Sequence, residues 1–147
     1  MNIIFVCTGN TCRSPMAEGF FKTLCADSGT FEVCSRGIAA IDGMRASEYS
    51  VIAASELGAD ITSHLSHQIT HADVSRADFI FAMTSSHASA LKAAFPEFAN
   101  KIFTIGEYAL SADVSDPYGG DLSIYRECAA QLKEAVQKIY NKLSDDI

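Results

Sequence analysis

The apolar run Ile3-Ile4-Phe5-Val6 passes straight into Cys7-Thr8-Gly9-Asn10-Thr11-Cys12-Arg13-Ser14-Pro15, and this junction restricts the fold more than any other part of the chain. Consecutive apolar residues with no polar alternation fit a strand covered on both faces, as in the middle of a parallel sheet. Pro15 stands where the first turn of a helix accepts proline, and Met16, Phe20 and Leu24 then recur at helical spacing to about Ala26. The chain therefore opens as strand (Asn2 to Val6), glycine-containing loop and helix. Such a loop turns backbone N–H groups inward beside the positive end of the helix, which is the architecture of an anion site.

The remainder repeats this alternation. Asp27-Ser28-Gly29 stops the first helix, and a second strand is predicted over Phe31 to Ser35, closed by Gly37. A second helix spans Ala46 to Leu57, with Gly58 as its C-terminal cap. From Ile61 to Val74 the pattern is irregular and polar, predicting a long connection with at most a short helix. Asp78 to Met83 reads as the third strand, and Thr84-Ser85-Ser86 supplies capping chemistry for a helix from about His87 to Phe95, stopped by Pro96. Ile102 to Ile105 gives a fourth strand, and a loop runs on to Gly120. The last helix, Leu122 to Leu143, presents Tyr125, Cys128, Leu132, Val136, Ile139 and Leu143 as its core face. Four strands alternating with helices predict an α/β three-layer sandwich with right-handed crossovers. No repeat or linker divides the chain, so residues 1–147 read as one domain.

Chemistry concentrates in the first loop. Arg13 offers a planar, bidentate grip on two oxygens of a phosphoryl group. The same positive surroundings favour the thiolate form of a cysteine, and Cys7 stands at the strand end where they act. A thiolate beside a bound phosphoryl group is a covalent catalyst. Asn10 suits a left-handed turn in the loop, and Ser14 could cap the helix. Asp116, restricted by Pro117, is the candidate general acid; Asp113 competes three residues earlier. Cys25, Cys34 and Cys128 read as packing residues. His64, His67 and His71 fit no metal-ligand spacing and read as solvated loop histidines.

Cys7 to Arg13, with five residues between them and Ser14-Pro15 following, resembles the signature loop of the low-molecular-weight protein tyrosine phosphatase family, and most closely its bacterial protein-arginine-phosphatase branch. Asp116-Pro117-Tyr118 resembles the family's late acid loop, so the likeness spans nearly the whole chain. It implies a flavodoxin-like parallel sheet in the order 2-1-3-4, with the Cys7 and Asp116 loops meeting beyond the carboxyl ends of the strands. It also implies that Cys7, Arg13 and Asp116 are catalytic and that Thr8, Gly9, Asn10, Thr11, Cys12, Ser14 and Tyr118 bind substrate. Ser14 would steady the thiolate as leaving group, Ser35 would support the loop, and Cys12 would pair reversibly with an oxidised Cys7. Where relatives carry Ser-Ala-Gly after the second strand, this chain has Ser35-Arg36-Gly37.

Substrate choice rests on Thr11 and the run Asp116 to Gly120. Tyrosine-selective relatives carry a bulky aliphatic residue at the position of Thr11, whose smaller, hydroxyl-bearing side chain suits a guanidinium or the attacking water. The resemblance thus favours phosphoarginine in proteins over phosphotyrosine, with phosphorylated proteins as partners and no metal or cofactor. An FMN-binding flavodoxin-like carrier shares the Thr8-Gly9-Asn10-Thr11 pattern and the fold class. An arsenate reductase would need a further cysteine pair after the third strand, which Met83 to Phe95 lacks. The formal net charge of −7 opposes broad nucleic-acid or anionic-membrane binding. The five cysteines fit a reduced, cytoplasmic setting. No run approaches the roughly 18 apolar residues of a membrane span.

Overall fold

A computed structural model describes residues 1–145. Four strands, β1 (Asn2–Cys7), β2 (Glu32–Gly37), β3 (Phe79–Ala82) and β4 (Ile102–Thr104), form one parallel sheet in the order β2-β1-β3-β4. The order is the one the resemblance implied. β1 is central, with Cys7 opposite Gly37 on β2 and Val6 opposite Ala82 on β3. Six α-helices are described: α1 (Arg13–Cys25), α2 (Glu48–Glu56), α3 (His71–Arg76), α4 (Ser85–Ala94), α5 (Ile105–Ala109) and α6 (Leu122–Asp145).

Strand alternation divides the core in two. Ile3, Phe5 and Cys7 of β1 join Phe81 and Met83 on one face, packed against Met16, Phe20 and Phe21 of α1, Ala53 and Ala54 of α2, and the apolar side of α6. Ile4 and Val6 point the other way, with Ile80, Ala82 and Ile102, toward Val74 of α3 and Ala88 and Leu91 of α4. A β-strand turns successive side chains to opposite faces, so an all-apolar strand requires helices on both. Phe5 and Phe81 are fully buried with ring centroids 5.8 Å apart, and truncating either to alanine would cost about 3–5 kcal/mol. All six predicted core residues of the last helix are buried. No helix among the described residues is long and apolar enough to cross a membrane.

Several boundaries differ from the sequence reading. β2 runs on through Arg36 to Gly37, because Gly37 still pairs with Cys7 and its N–H and carbonyl bond His67 and Ile69. The second helix starts later, at Glu48, where the Ser47 hydroxyl accepts from Ser50 N. Pro96 does more than stop α4: it begins a 3-10 helix, Pro96–Lys101. Ile105 belongs to a helix rather than to the fourth strand, since Thr104 and Glu107 form a capping box that starts α5. Ser14 is not the cap of α1; that position falls at Cys12, which freed the Ser14 hydroxyl for another use.

Candidate active site

β1 ends at Cys7 and α1 begins at Arg13, leaving five residues to turn through the gap. Such a tight reversal needs a left-handed residue, and Asn10 takes that conformation with φ of 60°. Its side chain is fully buried beneath the loop. Asn10 Oδ1 accepts from His67 N (2.9 Å), which fixes the amide so that Nδ2 donates to Ser14 Oγ (2.8 Å) and Ser35 Oγ (3.0 Å). Ser35 Oγ in turn donates to Glu18 Oε1 at 2.7 Å. Since Ser14 Oγ accepts from Asn10, its proton is left for Cys7 Sγ, 2.9 Å away, ahead of the more distant Arg36 carbonyl at 3.4 Å. A chain of hydroxyls and amides thus ends on the Cys7 sulfur.

The backbone of the loop is held from outside as well. His64 Nε2 donates to Asn10 O at 2.8 Å, Ala39 N donates to Thr8 O, and Ser47 N donates to Thr11 O. His64 is therefore half-buried and engaged with the loop, which corrects its reading as a solvated histidine; His67 and His71 are exposed. Its contact spans 54 residues, and no local pattern announces it. Gly37 is required at its place: a Cβ there would stand 2.6 Å from Thr8 O.

Cys7, Thr8, Gly9, Thr11, Cys12, Arg13, Asp116 and Tyr118 line one cavity of about 270 Å³ at the carboxyl end of the sheet. Asn10, Ser14 and Ser35 lie behind that wall, buried. Arg13 is buried too. Its Nη1 donates to Val114 O at 2.9 Å and its Nη2 lies 3.6 Å from Asp116 Oδ2, while the buried Nε has no partner among the described residues. The Asp116 side chain is 53% exposed, and its Oδ1 accepts from Tyr118 N. Asp113 points elsewhere, accepting from Ser85 N and Ser85 Oγ at the start of α4. A buried guanidinium between a thiol and a carboxylate can grip an anion, and the carboxylate is free to reach what the anion is attached to.

The five cysteines are all free thiols. Burial pushes the Cys128 thiol up to about 12 and raises those of Cys25 and Cys34, which suits residues that only pack. Cys12 lies between Ser47 Oγ (3.5 Å) and Tyr125 OH (3.6 Å). Burial, then that sulfur, pushes the Tyr125 phenol up to about 12. His87, read in the sequence only as the start of a helix and given no role in the site, contacts Thr8 from α4.

Known proteins resemble the chain along nearly its full length. The model of the family described as low molecular weight phosphotyrosine protein phosphatase matches residues 2–147. A protein-arginine-phosphatase of Bacillus subtilis (strain 168) is 37% identical over 149 residues, covering 99% of both chains. The low molecular weight protein-tyrosine-phosphatase PtpB of Staphylococcus aureus is 40% identical over 140 residues, covering 95% of this chain and 96% of its own. The solved YwlE arginine phosphatase C7S mutant with phosphorylated active site serine superposes with a TM-score of 0.94 at 36% identity, covering 99% of this chain and 97% of that one. The family model matches all but the first residue, relatives are matched over nearly their whole length, and the chain belongs to the low molecular weight phosphotyrosine protein phosphatase family.

Proposed function

We propose that this protein is a cysteine-dependent phosphatase that hydrolyses phosphoarginine in proteins through a cysteinyl-phosphate intermediate. One observation carries the reading: the Cys7 thiol, the Arg13 guanidinium and the Asp116 carboxylate share a cavity whose wall includes Thr11. In the first step Cys7 Sγ bonds phosphorus as the P–N bond breaks, and the departing guanidine nitrogen takes a proton from the Asp116 carboxyl. Loop amides and Arg13 hold the phosphoryl oxygens; the unpartnered Arg13 Nε is a donor ready for one of them. In the second step water bonds phosphorus, Asp116 takes its proton, and Cys7 leaves as a thiolate that the Ser14 hydroxyl steadies. Cys12 is the partner we assign to an oxidised Cys7: its thiol attacks the sulfenic acid, forming a disulfide and releasing water.

The preference for arginine rests on Thr11 and on the leaving group. A guanidine leaving without its proton is far poorer than a phenolate, whose conjugate acid has a pKa of about 10, so a well-placed acid matters more for phosphoarginine. The arginine-phosphatase activity named for two full-length relatives supports this choice, and the tyrosine-phosphatase name of others keeps phosphotyrosine as the second reading. Family membership removes the flavin-carrier alternative. The test is phosphate release from matched phosphoarginine and phosphotyrosine peptides, with Thr11→Ile alongside the parent. The parent is expected to prefer the arginine peptide, and the isoleucine to move the ratio of kcat/KM values toward tyrosine by about ten-fold or more. A parent that prefers the tyrosine peptide overturns the substrate assignment, and an unmoved ratio removes Thr11 from it.

A further inference from the structure

Thr8 follows Cys7 directly and lines the same cavity. Behind it stands His87 in the first turn of α4, with Nε2 2.8 Å from Thr8 Oγ1. His87 is 6% exposed, and its buried Nδ1 has no hydrogen-bond partner among the described residues. The turn that carries it is fixed on both sides: Thr84 Oγ1 accepts from His87 N, and Asp113 accepts from Ser85 N.

The unpartnered nitrogen selects the tautomer. A proton on Nδ1 would bury an N–H with nothing to accept it, whereas a proton on Nε2 leaves only a lone pair at Nδ1 and donates to Thr8 Oγ1. Orphaned buried donors are the rarer and costlier case. The imidazolium fails for the same reason, and burial first, with Arg13 second, holds His87 below its ordinary range against the opposite pull of Asp116 and Asp113. With Nε2–H occupying one lone pair, the Thr8 hydroxyl cannot also give its proton to the ring. No other partner of that hydroxyl exists among the described residues, so the proton turns toward the cavity.

An arginine guanidinium offers donors only, so the acceptors that a cavity donor meets on a phosphoarginine are phosphoryl oxygens. Building on the phosphatase reading, we propose that His87 is a positioning residue that fixes the Thr8 hydroxyl as a hydrogen-bond donor to a phosphoryl oxygen, adding one side-chain donor to the loop amides and Arg13. The ring never touches substrate. It acts by denying the hydroxyl any other orientation.

The test compares the parent with Thr8→Val, His87→Phe, the double variant and His87→Gln, using inorganic phosphate in titration calorimetry and an aryl phosphate for kcat/KM. Thr8→Val and His87→Phe are each expected to weaken phosphate binding and lower kcat/KM by about ten-fold, since a donor to a charged oxygen is lost. The double variant should lose no more than the worse single one. His87→Gln, whose amide donates from near the Nε2 position, should recover most of the loss. The ¹⁵N shifts of the parent's His87 ring should mark Nε2 as the protonated nitrogen. Additive losses, an Nδ1-protonated ring, or phosphate binding unchanged in Thr8→Val would each overturn the assignment. Thr8 is exposed, so that last arm stands even where His87→Phe fails to fold. A parent with no Cys7-dependent phosphate release would instead overturn the phosphatase reading itself.

Discussion

Two residues other than glycine hold left-handed backbone among those described, Asn10 with φ of 60° in the middle of the Cys7 loop and Leu110 with φ of 55° at the start of the Asp116 loop, and the two loops meet at the cavity. Asn10 is fully buried, and its side chain makes hydrogen bonds to Ser14, Ser35 and His67. Leu110 is 83% exposed and leads into a segment tied down at scattered points up to Ser115, among them Ser111 N to Gly106 O, Val114 N to Met83 O, Val114 O to Arg13, Asp113 to the start of α4, and Gln131 Nε2 to Asp113 O, while the Asp116 side chain itself stays half in solvent. The thiol side of the site is thus over-determined and the carboxylate side lightly held. Electrostatic stabilisation of a phosphoryl group works when the donors are already in place before charge develops. A proton donor has the opposite need, since the leaving group must enter beside it and depart.

The strongest way to break this contrast is to remove the sulfur alone. Cys7→Ser keeps the volume and a hydrogen bond to Ser14, so the fold and its melting temperature should hold while turnover falls by at least about 10⁴-fold. Phosphate release within a few-fold of the parent, read on a phosphorylated peptide, would deny Cys7 its role and leave the braced loop as a binding site only.

Asp116→Asn probes the lightly held side. The amide preserves shape but carries no transferable proton, so kcat should drop about 10²- to 10³-fold. Because the side chain is half in solvent, with a 3.6 Å approach to Arg13 as its ion pair, urea unfolding should shift by no more than about 0.5 kcal/mol. Asp113→Asn is the paired control and should leave kcat nearly unchanged. If the two variants exchange behaviour, the acid is Asp113.

Asn10→Ala should produce the converse pattern, a stability loss with the chemistry impaired only through the loop. It strands the His67 N–H, removes the amide from Ser14 and Ser35, and leaves a Cβ residue with no local bonds in left-handed backbone. Together these cost about 3 kcal/mol by urea unfolding. A loss below about 1 kcal/mol would show that the hydrogen bonds around Asn10 are dispensable to the loop.

The same contrast explains what could be read in advance. The β1 strand, its loop and α1 were legible because strand, turn and helix signals are contiguous from Ile3 to Leu24, and the α6 face because its period runs over many turns. The candidate acid Asp116 was legible through Pro117. The bracing of Asn10 was not, because Ser35, His64 and His67 reach it across 25 to 57 positions. α5 was missed for another reason: its Thr104–Glu107 capping box is a readable signal, but five residues are too few to display a helical period. Gly37 could be seen as a strand end, while the contact that demands it, Thr8 O, appears only when β2 lies beside β1.

Leu110 gives the smallest and most selective test. An L-residue in left-handed backbone costs roughly 1–2 kcal/mol, which glycine avoids. Glycine in turn loses about 0.5–1 kcal/mol more chain entropy on folding. No packing offsets this at an exposed side chain, so Leu110→Gly should stabilise the protein by up to about 1 kcal/mol, with φ unchanged. At the C-terminal end of α5, where Leu110 N donates to Gly106 O, glycine is also the residue such caps prefer. The informative reading is stability and kcat together. Higher stability with kcat unchanged means that the lightly held segment begins beyond Leu110, so that Asp116 owes its freedom to its own exposure. Higher stability with lower kcat means that the left-handed leucine is kept to loosen the acid loop, and the asymmetry between the two loops is then itself part of catalysis.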